Sequence, residues 1–167
     1  MNAVADQEQP LSFAPDEYPT DAISDDLVRG SLWFAAHSHL GAITLSSAAF
    51  RLYPVVNEGE VSIALEFNVE NDFDDHGALF QVSCKVLAGD PENPLFTVDS
   101  THLAFYAHSI QGLPEAVMKH VGETSVMLSV YPYIRELVQS LTSRAGLPAL
   151  TLDLLRMDPS GSSVPAL

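Results

Sequence analysis

Residues 131–152 read Tyr131-Pro132-Tyr133-Ile134-Arg135-Glu136-Leu137-Val138-Gln139-Ser140-Leu141-Thr142-Ser143-Arg144-Ala145-Gly146-Leu147-Pro148-Ala149-Leu150-Thr151-Leu152. Val130, Ile134, Leu137, Val138 and Leu141 recur at three- and four-residue spacing, with Arg135, Glu136, Gln139, Ser140 and Ser143 on the other side, so the stretch predicts an amphipathic helix. Its end is marked three times: Arg144 meets the negative helix terminus, Gly146 can take the left-handed cap, and Pro148 forbids continuation. Pro132 marks either the start or a kink in a longer helix.

Upstream, Leu113-Pro114-Glu115-Ala116 opens a helical segment through Val117, Lys119 and Val121 that Gly122 interrupts and that resumes near Glu123. Before it the apolar period is two. Ile43 and Leu45 oppose Phe50 and Leu52 in parity, which predicts a bulge between Ser46 and Ala49. Val61, Ile63, Leu65, Phe67 and Val69 alternate with polar or small residues, as do Phe80, Val82, Cys84 and Val86. A turn over Asp72 to Gly77 separates those two strands. After the turn-rich Gly89-Asp-Pro-Glu-Asn-Pro94, Leu95 to His108 reads as a fourth strand with a parity slip near Ser100. Ser24 or Asp25 can cap a short helix through Leu27, Val28, Leu32 and Trp33 that Gly41 ends. The expected fold is α+β: a short helix, a four-stranded antiparallel meander, and a long C-terminal helix packed on one face. Residues 1–23 are expected to form a flexible acidic tail, 24–157 the folded domain and 158–167 a flexible C-terminal tail.

The run Tyr131-Pro-Tyr-Ile-Arg, followed by Ser143-Arg144 and Leu147-Pro-Ala-Leu-Thr-Leu152, resembles the aromatic-Pro-Tyr-x-Arg, Ser-Arg-Gly and Phe-Pro-x-Leu-x-Leu signature of SecB, the bacterial protein-export chaperone, and of SecB-like relatives. Tyr131, Pro132, Tyr133, Arg135, Arg144 and Pro148 carry it, and the order of elements agrees. The resemblance implies an ATP-independent holdase for unfolded or nascent polypeptide, active in export or on a dedicated client such as an antitoxin. It also implies a tetramer built as a dimer of dimers, and contact with the translocase motor SecA. The matching walls of the client grooves would be Leu52, Tyr53, Val55 and Val56 after the first strand, and Leu147, Leu150, Leu152, Leu154 and Leu155 after the long helix. Three features depart from the family, one of them a short crossover after Tyr53. Ala42 to Ser47 lacks the acids implicated in docking SecA, and Asp153-Leu-Leu-Arg-Met-Asp-Pro159 with a Ser/Gly tail replaces a final helix, which suits a chaperone of few clients.

The bulk composition fits those expectations. Acidic residues number 22 against 7 basic, a net charge of -15, which repels nucleic acid and anionic membranes. Seven acids fall between Asp6 and Asp26 and seven between Glu58 and Asp75, as solvated faces or a docking surface. A single cysteine permits no internal disulfide, and neither a signal peptide nor a membrane-spanning run is evident, so a cytoplasmic location is expected.

Catalytic, metal and cofactor chemistry find no foothold. His37 and His39 lack a third ligand; His102, His108 and His120 read as ordinary histidines; Cys84 reads as core packing. Asp25/Asp26 and Asp74/Asp75 sit beside caps and turns, and no phosphate loop or nucleophile elbow is present. Two other readings stay open: a small-molecule-binding α+β domain, and a structural oligomerisation domain.

Overall fold

A computed structural model describes residues 26–54, 61–157 and 163–165. Helix α1 spans Leu27–His37, and strands β1 (His39–Leu52), β2 (Ile63–Phe73), β3 (Gly77–Asp90) and β4 (Asn93–Ala107) follow. Helix α2 (Glu115–Val121) runs through a π-turn (Gly122–Val126) into helix α3 (Met127–Arg144). A short ribbon pairs β5 (Leu155–Met157) with β6 (Ser163–Pro165), so part of the expected C-terminal tail is paired. Residues 1–25 and 158–162 lie outside the described residues. No helix among the described residues is long and apolar enough to cross a membrane.

The α+β class and the four antiparallel strands are as expected, but the sheet is not a simple meander. Its order is β1-β4-β3-β2, so the chain crosses from one edge to the other between β1 and β2. The β1–β4 register shifts between Leu45 and Ser47, the position that the opposed parities required, and again between Leu40 and Ala42. No slip occurs at Ser100. Phe96, Val98, Ser100, His102, Ala104 and Tyr106 all lie buried in strict alternation on one face. Two polar residues on that face made an unbroken pattern look broken. The reversal between β3 and β4 is also tighter than the composition suggested: Pro91 and Glu92 alone separate the strands, with the Asp90 carboxylate accepting from the Glu92 amide at 2.8 Å.

The helices cover that same face. Ala78, Phe80, Val82, Cys84, Val86 and Ala88 of β3 meet Met118, Val121, Met127, Val130, Ile134 and Val138, all buried. Close approach is possible because Gly122 has no side chain; a Cβ there would stand 2.9 Å from Val69 Cγ1 and 3.2 Å from Phe80 Cδ1. Gly122 is thus no interruption, since the backbone passes through it in helical geometry into the π-turn. Pro132 lies inside α3 and exposed, which excludes the reading that it starts the helix.

Helix α1 begins one or two residues later than the expected cap at Ser24 or Asp25 implied. Asp26 caps it, accepting from the Arg29 amide at 3.1 Å, and Ser38 ends it, so Gly41 belongs to β1. Phe34 anchors α1 to the core through its ring contacts with Tyr106 and His108.

Candidate functional site

Helix α3 ends as its sequence dictates. Gly146 takes φ +75°, its amide bonds Ser143 O at 3.1 Å, and the Leu147 amide bonds Thr142 O at 3.1 Å, the paired bonds of a Schellman cap. This turn reverses the chain, and residues 147–154 then run back along the helix as an irregular strap. Three side chains of α3 hold it. Thr142 Oγ1 accepts from the Leu150 amide at 3.0 Å, Arg135 Nε donates to Leu152 O at 2.7 Å, and the Tyr131 hydroxyl donates to Asp153 O at 2.6 Å.

Each clasp is set up by its surroundings. Thr142 is fully buried and donates its own proton to the helix, to Val138 O at 2.9 Å, which leaves the hydroxyl oxygen free to accept. Tyr131 is buried edge-on to Phe67 of β2, and burial raises its pKa, so the phenol stays a proton donor. Tyr131 and Arg135 stand four residues apart on one helix face, one turn above the other. The signature spacing therefore has a structural meaning: its leading aromatic, Tyr131, and its arginine, Arg135, grip consecutive carbonyls of the strap. Neither this role nor that of Thr142 is marked by periodicity, because the contact is with a segment of no regular structure.

The strap fixes where its leucines go. Leu154 projects into solvent at 68% exposure, while Leu147, Leu150 and Leu155 are half-buried against the core. Leu152 is different: at 3% exposure it is a core residue, so it offers no surface as a groove wall. Leu52 ends β1 rather than following it and is 50% exposed, and Tyr53 beyond it is half-buried, its amide bonding Leu95 O at 2.9 Å; Val55 and Val56 lie outside the described residues. Among the other signature residues, Tyr133, Arg144 and Pro148 are exposed.

The remaining chemistry-bearing side chains are placed apart. His37 closes α1, stacked on Trp33 with Nδ1 2.8 Å from Trp33 O, while His39 opens β1. His102 and His108 are buried, and desolvation lowers both pKa values; His108 Nδ1 accepts from the Ile110 amide at 3.1 Å. Burial pushes the Cys84 thiol up to about 12. Asp74 serves the β2–β3 turn, accepting from His76 and Gly77 amides, which holds its carboxyl below the usual range. No group of three or more metal-ligating side chains gathers among the described residues. Two open depressions lie on the uncovered sheet face, one around Glu66, Lys85 and Asp99, the other around Asp72, Leu79 and Phe105; none of the candidate leucines lines either.

Comparison with known proteins agrees with the geometry. The SecB family model, described as preprotein translocase subunit SecB, matches residues 46–158. Among solved structures, the Mycobacterium tuberculosis Rv1957 SecB-like chaperone in complex with a ChAD peptide from the Rv1956 HigA1 antitoxin superposes with TM-score 0.69 at 26% identity, covering 78% of this chain and 99% of that one. A protein of unknown function from Streptococcus agalactiae matches at TM-score 0.43 and 7% identity, covering 70% and 97%. No curated protein matches. Helix α1 lies outside the family match, whereas the whole sheet beyond Ser46, the long helix and the clasped strap lie within it. The match spans well over half the sequence, and the chain belongs to the SecB family of chaperones.

Proposed function

We propose that this chain is a nucleotide-independent holdase that keeps polypeptide clients unfolded in the cytoplasm. The observation that carries the reading is the strap: α3 fixes its backbone by three hydrogen bonds while Leu154 is held out in water. Holding an apolar side chain in solvent gains nothing for the lone chain, and it suits a surface that buries client side chains at about 25 cal/mol per Å² removed from water. Leu52, Tyr53, Val55, Val56, Leu147, Leu150 and Leu155 extend that surface; Leu152 belongs beneath it. Several weak patches on one client add through effective concentration, and binding only the unfolded form opposes folding by mass action.

Assembly as a dimer of dimers is part of the reading. Leu40 and Leu45 on the inner face of β1, and Leu128 and Tyr133 on α3, are each between 45% and 51% exposed, which supports burial against further copies. A dedicated client is favoured over general export. Support comes from the absence of acids in β1, where SecA would dock, and from the neighbour's complex with an antitoxin peptide.

The test dilutes a chemically denatured, slow-folding client into buffer without nucleotide, with and without this protein. Arrested refolding with little aggregation is expected, relieved by Leu154→Ser together with Leu52→Ser. Refolding at an unchanged rate in the presence of the assembled protein would overturn the reading.

A further inference from the structure

We infer that helix α1 is released by acid: a proton on His108 breaks the seat that holds α1 against the sheet and uncovers apolar surface beneath it, while the rest of the fold stands. The seat is small. Gly30, Ser31 and Phe34 are the buried residues of α1, and Val28 and Leu32, at 58% and 66% exposure, face water. Phe34 is the large side chain of the helix that is fully buried, with Trp33 half-buried beside it. Its ring lies against Tyr106 and T-shaped on His108, at centroid separations of 5.9 and 5.6 Å. The family match begins at residue 46, so α1 is an addition to the shared sheet and long helix rather than part of them. An element attached mainly through one large side chain opens more easily than the sheet beneath it.

The seat fits only a neutral imidazole. His108 is buried, and its Nδ1 accepts from the Ile110 amide at 3.1 Å, which puts the ring proton on Nε2, a buried atom with no hydrogen-bond partner. A second proton has one place to go. That place is Nδ1, where the Ile110 N–H already points, so an accepted hydrogen bond becomes two facing donors and a charge is confined among apolar side chains. Turning the ring out to water gives both of its N–H groups a partner. The contact with Phe34 goes with it, and Tyr106 and Ile110, both buried in the seated form, lose their cover.

The groups around the ring set the sign. Burial lowers the pKa of His108 below its ordinary 6.5, outweighing Asp74 and Asp75 on the turn between β2 and β3 and the Gly77 backbone, which favour the proton; His76 opposes it. From α1 the facing side chain is the uncharged Phe34, while Asp26, Arg29 and His37 on that helix and its cap, and His39 at the start of β1, are exposed. On α2, which packs against α1, Lys119 is exposed and His120 half-buried. A group whose pKa is lower when seated favours the closed form above about pH 6.5 and yields as pH falls through that value toward the seated pKa. For one proton the open population grows by up to about tenfold per pH unit. The inference stands on the seat of α1 and not on the holdase reading; under that reading the uncovered patch enlarges the surface offered to clients in acid.

The test follows amide exchange of the full chain between about pH 7.5 and 5, as protection factors corrected for the intrinsic rate at each pH. Protection within residues 30–37 is expected to fall by up to about tenfold per unit below about pH 6.5, more steeply than in residues 80–88 of β3, with a parallel rise in the fluorescence of a dye that binds apolar surface. His108→Asn keeps a side-chain acceptor for the Ile110 amide but cannot titrate. Protection of α1 in that variant should be lower at neutral pH and level across the range. Asp75→Asn, at an exposed position, removes a carboxylate that steadies the seated cation, so α1 should open further in acid than in the unaltered chain. Protection of α1 that tracks β3 at every pH overturns the inference, as does a slope retained in His108→Asn or a release of α1 with no rise in dye binding. Should His108→Asn fail to fold, Asp75→Asn decides, and an opening of α1 in acid no larger than that of the unaltered chain overturns the proposal.

Discussion

The hydroxyl of Tyr131 lies 2.6 Å from the carbonyl oxygen of Asp153, and its ring makes an edge-to-face contact with Phe67. Tyr131→Phe removes the hydrogen bond and keeps the ring contact. A loss of about 1 kcal/mol is expected, the usual net worth of one such bond. Amide exchange should quicken in residues 150–154 while β3 and β4 stay protected, because only the strap is loosened. An equal loss of protection throughout would show that the clasp belongs to the global fold.

Two glycines permit close approaches of unequal rigidity. A Cβ on Gly77 would stand 2.7 Å from Phe105 Cε2, but that ring is 43% exposed and can swing outward. A Cβ on Gly122 would meet Val69 and the fully buried Phe80, which has nowhere to go. Gly122→Ala should therefore cost about 1–3 kcal/mol by overpacking, despite alanine's better helix propensity, and Gly77→Ala less. Denaturant midpoints give the order. Adding Val69→Ala to Gly122→Ala should recover part of the loss, as coupled neighbours do.

Cys84 is buried among core side chains, with its thiol pKa pushed up to about 12 by burial and, secondarily, by Asp99. The thiolate is the nucleophile, so native protein at pH 8 should resist thiol reagents and react fully once denatured. Fast labelling of native protein would mean that the sheet opens beneath α3.

Stability should fall as acid is added. His102 and His108 are held neutral, their folded pKa values lowered below the ordinary 6.5 chiefly by burial. The unfolded chain takes up protons first, so the stability these groups contribute is present above about pH 6.5 and is lost as pH falls through that value toward the folded pKa. Each proton bound in excess by the unfolded state costs about 1.4 kcal/mol per pH unit. His102→Leu should flatten the melting-temperature profile between about pH 7 and 5.5. An unchanged profile would locate the acid sensitivity elsewhere. Asp74, with its pKa lowered by backbone hydrogen bonds, acts only near and below its ordinary value of 3.8.

Much of the fold was legible because burial imposes periods on the sequence. The alternation in β2 and β3, the parity switch that became the bulge at Leu45/Ser47, and the Arg144–Gly146–Pro148 stop all follow from local rules. Strand order did not follow, since nothing in the alternation of β1 says that its neighbour is β4. Ser100 and His102 imitated a slip because polar side chains were placed on the core face. The site was legible only in part. Composition marks Leu152 and Leu154 alike; burial separates them, and burial there depends on the carbonyl grips of Tyr131 and Arg135.

Those grips fall on main-chain oxygens at Leu152 and Asp153, atoms that almost any amino acid supplies in the same place. The outward-pointing positions of the strap are therefore released from the duty of holding the fold. Under the proposed function, a substitution at Leu154 changes what the surface recognises without loosening the clasp, whereas one at Tyr131 or Arg135 changes the clasp whatever the surface carries. On that proposal, such a division lets a lineage exchange one client for another by single steps, each intermediate still folded.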